Sequence, residues 1–291
     1  MGRGRSCVGP VAGALGVLTL ANVSNNRIAR RWAPVTSAAA TAALVTIARR
    51  DGLTWAELGF SDAGRGAGLG GALAAGVAAV YAAGVAVPRT RPLFLDERAL
   101  ALSRARLLEE ALVQVPIGTV LLEEVAFRGV LPALLGRSLP ARTAGVAAAA
   151  LFGLWHVLPA IDMARANPAL GHLASGSSPA TTGHPTSGSP AATIGHPTSG
   201  SPAVTTGHLR SGLSPATVGR LVAGTVASTT VAGLFFGELR RRGGLLAPAL
   251  THLGTNSLGY VAARLARRLD RDRRERGVAA SAGRGASGPL P

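Results

Sequence analysis

The sequence predicts an all-α fold: a polytopic transmembrane helical bundle of about seven membrane segments, within a range of six to eight. Three observations carry that prediction. Hydrophobic residues make up 47 % of the 291 residues and charged residues only 15 %, against roughly 25 % in ordinary soluble domains. The mean hydropathy is +0.31. The apolar residues fall in long runs bounded by arginines or by Pro and Gly breakers. Such a chain is not a disordered segment, a coiled coil or a small disulfide scaffold. One cysteine, Cys7, makes neither an internal disulfide nor a thiolate metal cluster.

The net charge is +16, and all 30 basic side chains are arginine. A surplus of that size suits nucleic acid, but aromatics at 4 % are too sparse for a stacking platform. The arginines instead flank the apolar runs, as they do in membrane proteins facing anionic lipid. The expected surroundings are therefore a lipid bilayer, with no nucleic-acid partner.

In chain order, Arg3 and Arg5 precede a first apolar run from Val8 to Val23. A signal peptide shares that pattern, but no small-residue cleavage site follows it. Gly2 to Ser6 and Asn22 to Ser24 match the myristoylation and glycosylation patterns, both short enough to recur by chance. A second run, Ala33 to Ala48, is rich in Ala and Thr and so is a marginal span. The third, Ala67 to Val87, is long enough to cross about 30 Å of hydrocarbon at 1.5 Å per residue. Residues Pro88 to Arg106 form a polar connection, with Pro88 and Pro92 as breakers. A fourth run starts at Ala111 and contains Pro116, which is expected to kink or end a helix. Ala141 to Pro159, Val218 to Phe236 and Gly244 to Ala263 complete the seven.

Residues 171–217 are low in complexity, with Gly-His recurring at His172, His184, His196 and His208, a period of 12. The unit has almost no bulky apolar side chains and cannot build a core. It reads as a duplicated tandem repeat forming an expanded loop, with loose metal capture as a weaker second reading. Seven segments place the two chain ends on opposite sides of the bilayer. With the basic tail inside, the arginine balance follows the positive-inside bias.

Polar groups inside apolar runs carry the functional reading. A charge at mid-bilayer costs about 2.5–3.5 kcal/mol on insertion scales, so Glu123, Glu124 and Arg128 need a polar interior to face. Glu124 and Arg128 are four apart and can pair on one helix face. Glu123 lies about 100° around the helix and can point into a water-filled pocket. Phe127 shares its face. His156 follows Phe152 by four, and His252 precedes Asn256 by four. Each stripe alone is explained by a buried ion pair or by hydrogen bonds across helix interfaces. Three such stripes in one bundle point instead to a shared site. Glu, His, His and Asn together suit a Zn²⁺ shell or an activated water. A carboxylate held in apolar surroundings is a suitable general base. HExxH and GxSxG are both absent.

EEVAFR (Glu123 to Arg128), FGLWH (Phe152 to His156) and HLGTN (His252 to Asn256) resemble, in order and setting, the three motifs of the CPBP intramembrane metalloproteases. That family is related to the type II CAAX prenyl endopeptidases and includes the Abi, or CAAX protease self-immunity, proteins. The resemblance implies a membrane metalloendopeptidase that cleaves membrane-anchored or lipidated, CAAX-like peptides. By motif position, Glu123 activates water, His156 and His252 hold the water or a metal, and Asn256 assists or stabilises the oxyanion. Glu124 and Arg128 support or position the substrate, and Phe152 and Phe127 shape the pocket. Zn²⁺ is the candidate ion, on His156 and His252 with Glu123 as a further ligand candidate. Residues 107–264 then form the catalytic core, interrupted by the repeat loop. Residues 1–106 supply N-terminal segments and loops, and 265–291 form a basic, disordered tail. The expected location is a cell membrane, by composition a bacterial cytoplasmic one. A transporter, in which buried Glu and His also occur, and a non-enzymatic immunity or scaffold protein with a degenerate site are the competing functions.

Overall fold

A computed structural model describes residues 8–166 and 214–285. The myristoylation pattern, the 12-residue repeat with its four histidines, and residues 286–291 lie outside the described residues. Among the described residues the structure is helical, with turns and no strand. It is the all-α bundle that the composition demands.

Seven helical segments sit where the apolar runs are. Helix α1 (Val8–Val23) runs into a π-helical turn, Ser24–Ile28. Helices α2 (Ala33–Arg50) and α3 (Ala63–Ala86) follow. A short α4 (Glu97–Ala101) lies in the polar connection. The central segment alternates between α5 (Arg104–Glu109), a π-helix Glu110–Leu121, α6 (Leu122–Glu124), a second π-helix Val125–Val130, and α7 (Leu131–Leu135). Helices α8 (Ala141–Trp155) and α9 (Val157–Ala166) form one long rod broken at His156. Helices α10 (Pro215–Gly243) and α11 (Leu246–Gly285) close the bundle. Four helices are long and apolar enough to cross a membrane: Val8–Ile28, Ala63–Ala86, Ala141–Ala164 and Pro215–Gly243. The other three segments fall short for visible reasons. Helix α2 is short and ends on Arg49-Arg50, the central segment carries its carboxylates, and α11 runs into the basic tail.

Pro116 does not end its helix. It sits inside the first π-helical stretch, whose i→i+5 pattern tolerates a missing N–H. The second π stretch carries Phe127 and Arg128. Both stretches thus flank the two glutamates, and π-bulges occur frequently at functional sites.

Close backbone approaches set the helix crossings. A side chain at Gly70 would meet the Ala247 carbonyl at 2.6 Å, so α3 and α11 touch there through backbone. A side chain at Gly153 would meet the Val226 carbonyl at 2.7 Å, which brings α8 equally close to α10. Small residues at such contacts are the usual way membrane helices approach. Gly244 turns the chain from α10 into α11 with φ of 63°, a left-handed value that favours glycine. The next residue, Leu245, donates its N–H to the Gly59 carbonyl at 2.8 Å. That bond pins the loop 51–62 against the α10–α11 turn.

The main core gathers Leu44, Leu53, Leu58, Leu122, Leu131 and Leu134 around Phe127 and Phe152. It draws α1 and α2 against the central segment, so the N-terminal third does more than supply apolar spans. Ser37 Oγ donates to the Gly118 carbonyl at 2.6 Å, and Asn22 Nδ2 to the Trp155 carbonyl at 2.9 Å.

Helix α11 continues past the last apolar run to Gly285. Ala262, Ala266 and Leu269 recur at helical spacing and pack against Val85, Phe94 and Leu95. Arg91 binds Asp270 at 2.9 Å, and Arg267 donates to the Leu100 carbonyl at 3.2 Å. The apolar stripe and these bonds anchor the first part of the tail on the polar connection.

Candidate active site

Glu123 and Glu124 occupy α6 between the two π stretches, and both side chains are buried. Burial of two adjacent carboxylates requires partners, and the two find different ones.

Glu124 Oε1 accepts from His252 Nδ1 at 2.8 Å, and Arg128 Nη1 lies 3.5 Å from the same oxygen. The Arg128 guanidinium is sandwiched: its carbon sits 3.8 Å from the Phe152 ring centre and 4.9 Å from that of Phe236. Cation–π contact offsets part of the loss of water around a buried guanidinium. Phe236 also stacks on His252, with centroids 5.2 Å apart and planes 26° from parallel. The expected Glu124–Arg128 pair therefore exists, but Glu124 does more than balance a charge. It fixes which nitrogen of His252 carries the proton and which way the ring faces.

The other nitrogen, Nε2, points toward Glu123. It lies 3.8 Å from Glu123 Oε2, beyond a direct hydrogen bond and within the span of one bridging water. Glu123 Oε2 is buried without a hydrogen-bond partner. Glu123 Oε1 accepts from the Trp155 indole N–H at 2.8 Å. One oxygen of this carboxylate is thus held and the other is left for chemistry.

His156 interrupts the α8–α9 rod. Its Nδ1 donates to the Phe152 carbonyl at 2.8 Å, leaving the lone pair on Nε2. Its ring stands edge-on to Phe152 at 4.6 Å between centroids. Phe127 packs on Phe152 at 5.3 Å and on Trp155 at 5.7 Å. Asn256 lies one turn beyond His252 on α11, half-buried, where Thr255 Oγ1 reaches its Oδ1 at 3.5 Å.

The structure thus brings Glu123, Glu124, Arg128, His252, Phe152 and Phe127 into one cluster. His156 joins it through Phe152. Asn256 shares the α11 face of His252 but makes no hydrogen bond to Glu123 or to either histidine among the described residues. Two members were not singled out by the sequence. Trp155 was readable only as an indole beside His156, and a buried indole N–H needs an acceptor. Phe236 sat in an ordinary apolar run with no polar neighbour to single it out.

A zinc site of the expected kind needs three protein ligands. Among the described residues no three His, Cys, Asp or Glu side chains come together closely enough to hold a metal ion. The donors that face one another are two, Glu123 Oε2 and His252 Nε2, while His156 is turned onto its own helix. This arrangement does not complete a zinc shell. It suits a water bound by two acceptors.

A family model described as type II CAAX prenyl endopeptidase, Rce1-like, matches residues 111–258. That span is just over half of the chain and contains Glu123 to Arg128, Phe152 to His156 and His252 to Asn256. No curated protein and no solved structure matches the chain.

Proposed function

We propose that this chain, which belongs to the Rce1-like type II CAAX prenyl endopeptidase family, hydrolyses peptide bonds of membrane-anchored or lipidated substrates through a water activated by Glu123. Its four candidate spans and its family of membrane proteases make it a membrane protein. By composition its home is a bacterial cytoplasmic membrane. One observation carries the reading: a buried carboxylate with one oxygen tethered to Trp155 and the other unpartnered, 3.8 Å from a histidine nitrogen.

In this mechanism a water lies between Glu123 Oε2 and His252 Nε2. Glu123 takes one of its protons as the oxygen attacks the scissile carbonyl carbon. We assign the Asn256 amide N–H, one turn beyond His252 on α11, as a donor for the oxyanion that develops, and His156 as a group that helps to hold the water. The proton on Glu123 then passes to the departing amine nitrogen, and the C–N bond breaks. Glu124 and Trp155 act as positioning residues, one on the His252 ring and the other on the Glu123 carboxylate. Arg128 keeps a charge beside Glu124 and so holds that end of the relay in place.

The test follows cleavage of a membrane-anchored peptide by the purified protein in liposomes. Glu123→Gln and His252→Ala are expected to abolish cleavage, and metal chelators are expected to leave the wild type unchanged. Undiminished cleavage by Glu123→Gln overturns the catalytic assignment. Loss of activity on chelation, restored by Zn²⁺, overturns the metal-free water.

A further inference from the structure

A cavity of about 930 Å³ opens beside the cluster just described, between the loop 51–62, α7, the first turns of α8 and the last turns of α10. That size lies within the range of small-molecule sites. Its lining is two-natured. Leu53, Phe127, Pro132, Val146 and Leu234 make an apolar wall. Five guanidiniums, of Arg128, Arg137, Arg142, Arg240 and Arg241, face two carboxylates, of Glu57 and Glu238.

The positive charge is only partly balanced within the protein: Arg128 pairs with Glu124 and Arg241 with Glu238. Arg137 and Arg240 donate to the backbone carbonyls of Asp51 and Glu57, which carry no net charge. Glu238 is shared by Arg241 and Arg242. Arg142 is exposed and makes no ion pair among the described residues. Both terminal nitrogens of Arg128, a side chain only 1 % exposed, lack a hydrogen-bond partner. Buried donors without acceptors cost free energy, and these add to the positive potential at the inner wall of the cavity.

The level of the cavity in the bundle identifies the anion. Arg142 stands in the first turn of the candidate span Ala141–Ala164, and Arg240 and Arg241 in the last turn of Pro215–Gly243. These two spans run antiparallel, so the arginines meet at one end of the bundle, at the depth where lipid phosphates lie. An apolar wall beside a guanidinium cluster at that depth matches an amphiphile with an anionic head. Basic pockets between membrane helices bind such heads, and guanidinium meets phosphate through paired N–H donors.

We propose that this cavity is a binding site for an anionic phospholipid, with the headgroup phosphate on Arg142, Arg240 and Arg241 and the start of an acyl chain against Leu53, Val146 and Leu234. Arg128 and Phe127 form the inner wall, so the lipid sits one helical turn from the Glu124–His252 pair. The site is independent of whether the protein cleaves peptides.

The test measures lipid binding to the full chain in detergent by native mass spectrometry, with phosphatidylglycerol and phosphatidylcholine as probes. The expected result is at least a tenfold preference for phosphatidylglycerol that Arg142→Ala/Arg241→Ala removes. Both side chains are exposed, so the variant folds, and Arg142→Lys/Arg241→Lys restores part of the preference. Arg268→Ala/Arg273→Ala, exposed on α11 at the opposite end, leaves it intact. Equal binding of the two lipids overturns the proposal, as does a preference that survives Arg142→Ala/Arg241→Ala. Displacement of the lipid by millimolar inorganic phosphate makes this a free-anion site and overturns the lipid assignment. So does a variant with unchanged lipid preference and a raised KM for an acidic peptide, which makes the cavity a substrate site.

Discussion

Glu123 and Glu124 are adjacent in the chain, equally buried, and opposite in circumstance. Around Glu124 one oxygen is bound by His252 and faces Arg128, whose guanidinium lies between the rings of Phe152 and Phe236, while the other oxygen has no hydrogen-bond partner. Around Glu123 one oxygen is tied to Trp155 and the other lies 3.8 Å from His252 Nε2, with no arginine in contact among the described residues. A step of about 100° around the helix separates the two environments. The lesson is that burial alone does not mark a reactive carboxylate. Glu124, beside a guanidinium, orients His252, and Glu123, with no arginine in contact among the described residues, turns its unpartnered oxygen toward His252 Nε2 and is placed to take a proton.

This contrast can be broken first at Glu123. Glu123→Gln is expected to lower the cleavage rate by about 10²–10⁴-fold, the usual contribution of a general base, with little change in the unfolding midpoint. A large loss of stability without loss of rate would reverse the two roles. At the closed wall the currency changes from rate to stability. Arg128→Met is expected to destabilise the fold by about 3–5 kcal/mol, since it leaves Glu124 without its counter-charge. Adding Glu124→Gln should recover most of that stability but little of the activity, because a neutral amide oxygen holds the His252 Nδ1–H more weakly than a carboxylate does. Thermal unfolding in detergent, read beside cleavage, checks both halves.

Asn256→Ala is expected to cost about 10²-fold in kcat, the effect of removing one oxyanion donor, with KM and stability nearly unchanged. Trp155→Phe removes a single hydrogen bond to a charged group, worth about 1.5–3 kcal/mol. It is expected to lower kcat by about tenfold while the ring packing on Phe127 persists. A Trp155→Phe enzyme at full rate would mean that the carboxylate needs no tether.

The smallest effect lies in the loop that covers the lipid cavity. The backbone N–H and hydroxyl of Thr54 hold the Glu57 carboxyl below its ordinary value. Its folded value is depressed, so the turn is supported above the ordinary carboxylate range and loses support as pH falls through the folded value. Amide exchange at Thr54 should quicken over that acidic window, and Glu57→Gln should remove the pH dependence. Glu57 is thus a third kind of carboxylate, exposed and satisfied, with neither catalytic nor core consequences.

Much of this was legible in the chain. The first run, Val8 to Val23, coincides with α1, and the remaining runs all became helices, the last two continuing past Phe236 and Ala263 to Gly243 and Gly285. The three polar stripes named six residues that cluster in space. Four things were not legible. Trp155 and Phe236 have no polar periodicity to reveal them. The grip of Glu124 on His252 joins residues 128 positions apart. The helical tail depends on Val85 and Phe94, which lie far from it in sequence.

By itself the sequence determined which segments are helical and apolar, and that charged and amide groups had to be hidden within them. Those are local properties, decided by composition and by a 3.6-residue period. The tertiary structure alone decided which of two neighbouring glutamates would pair with Arg128 and which would face His252 Nε2. It also turned His156 onto its own helix instead of into a three-ligand shell, and collected five arginines around one cavity. The physical reason is that partners are chosen by helix crossings. Those crossings depend on where glycines let backbones touch across long stretches of chain, and no local pattern records that.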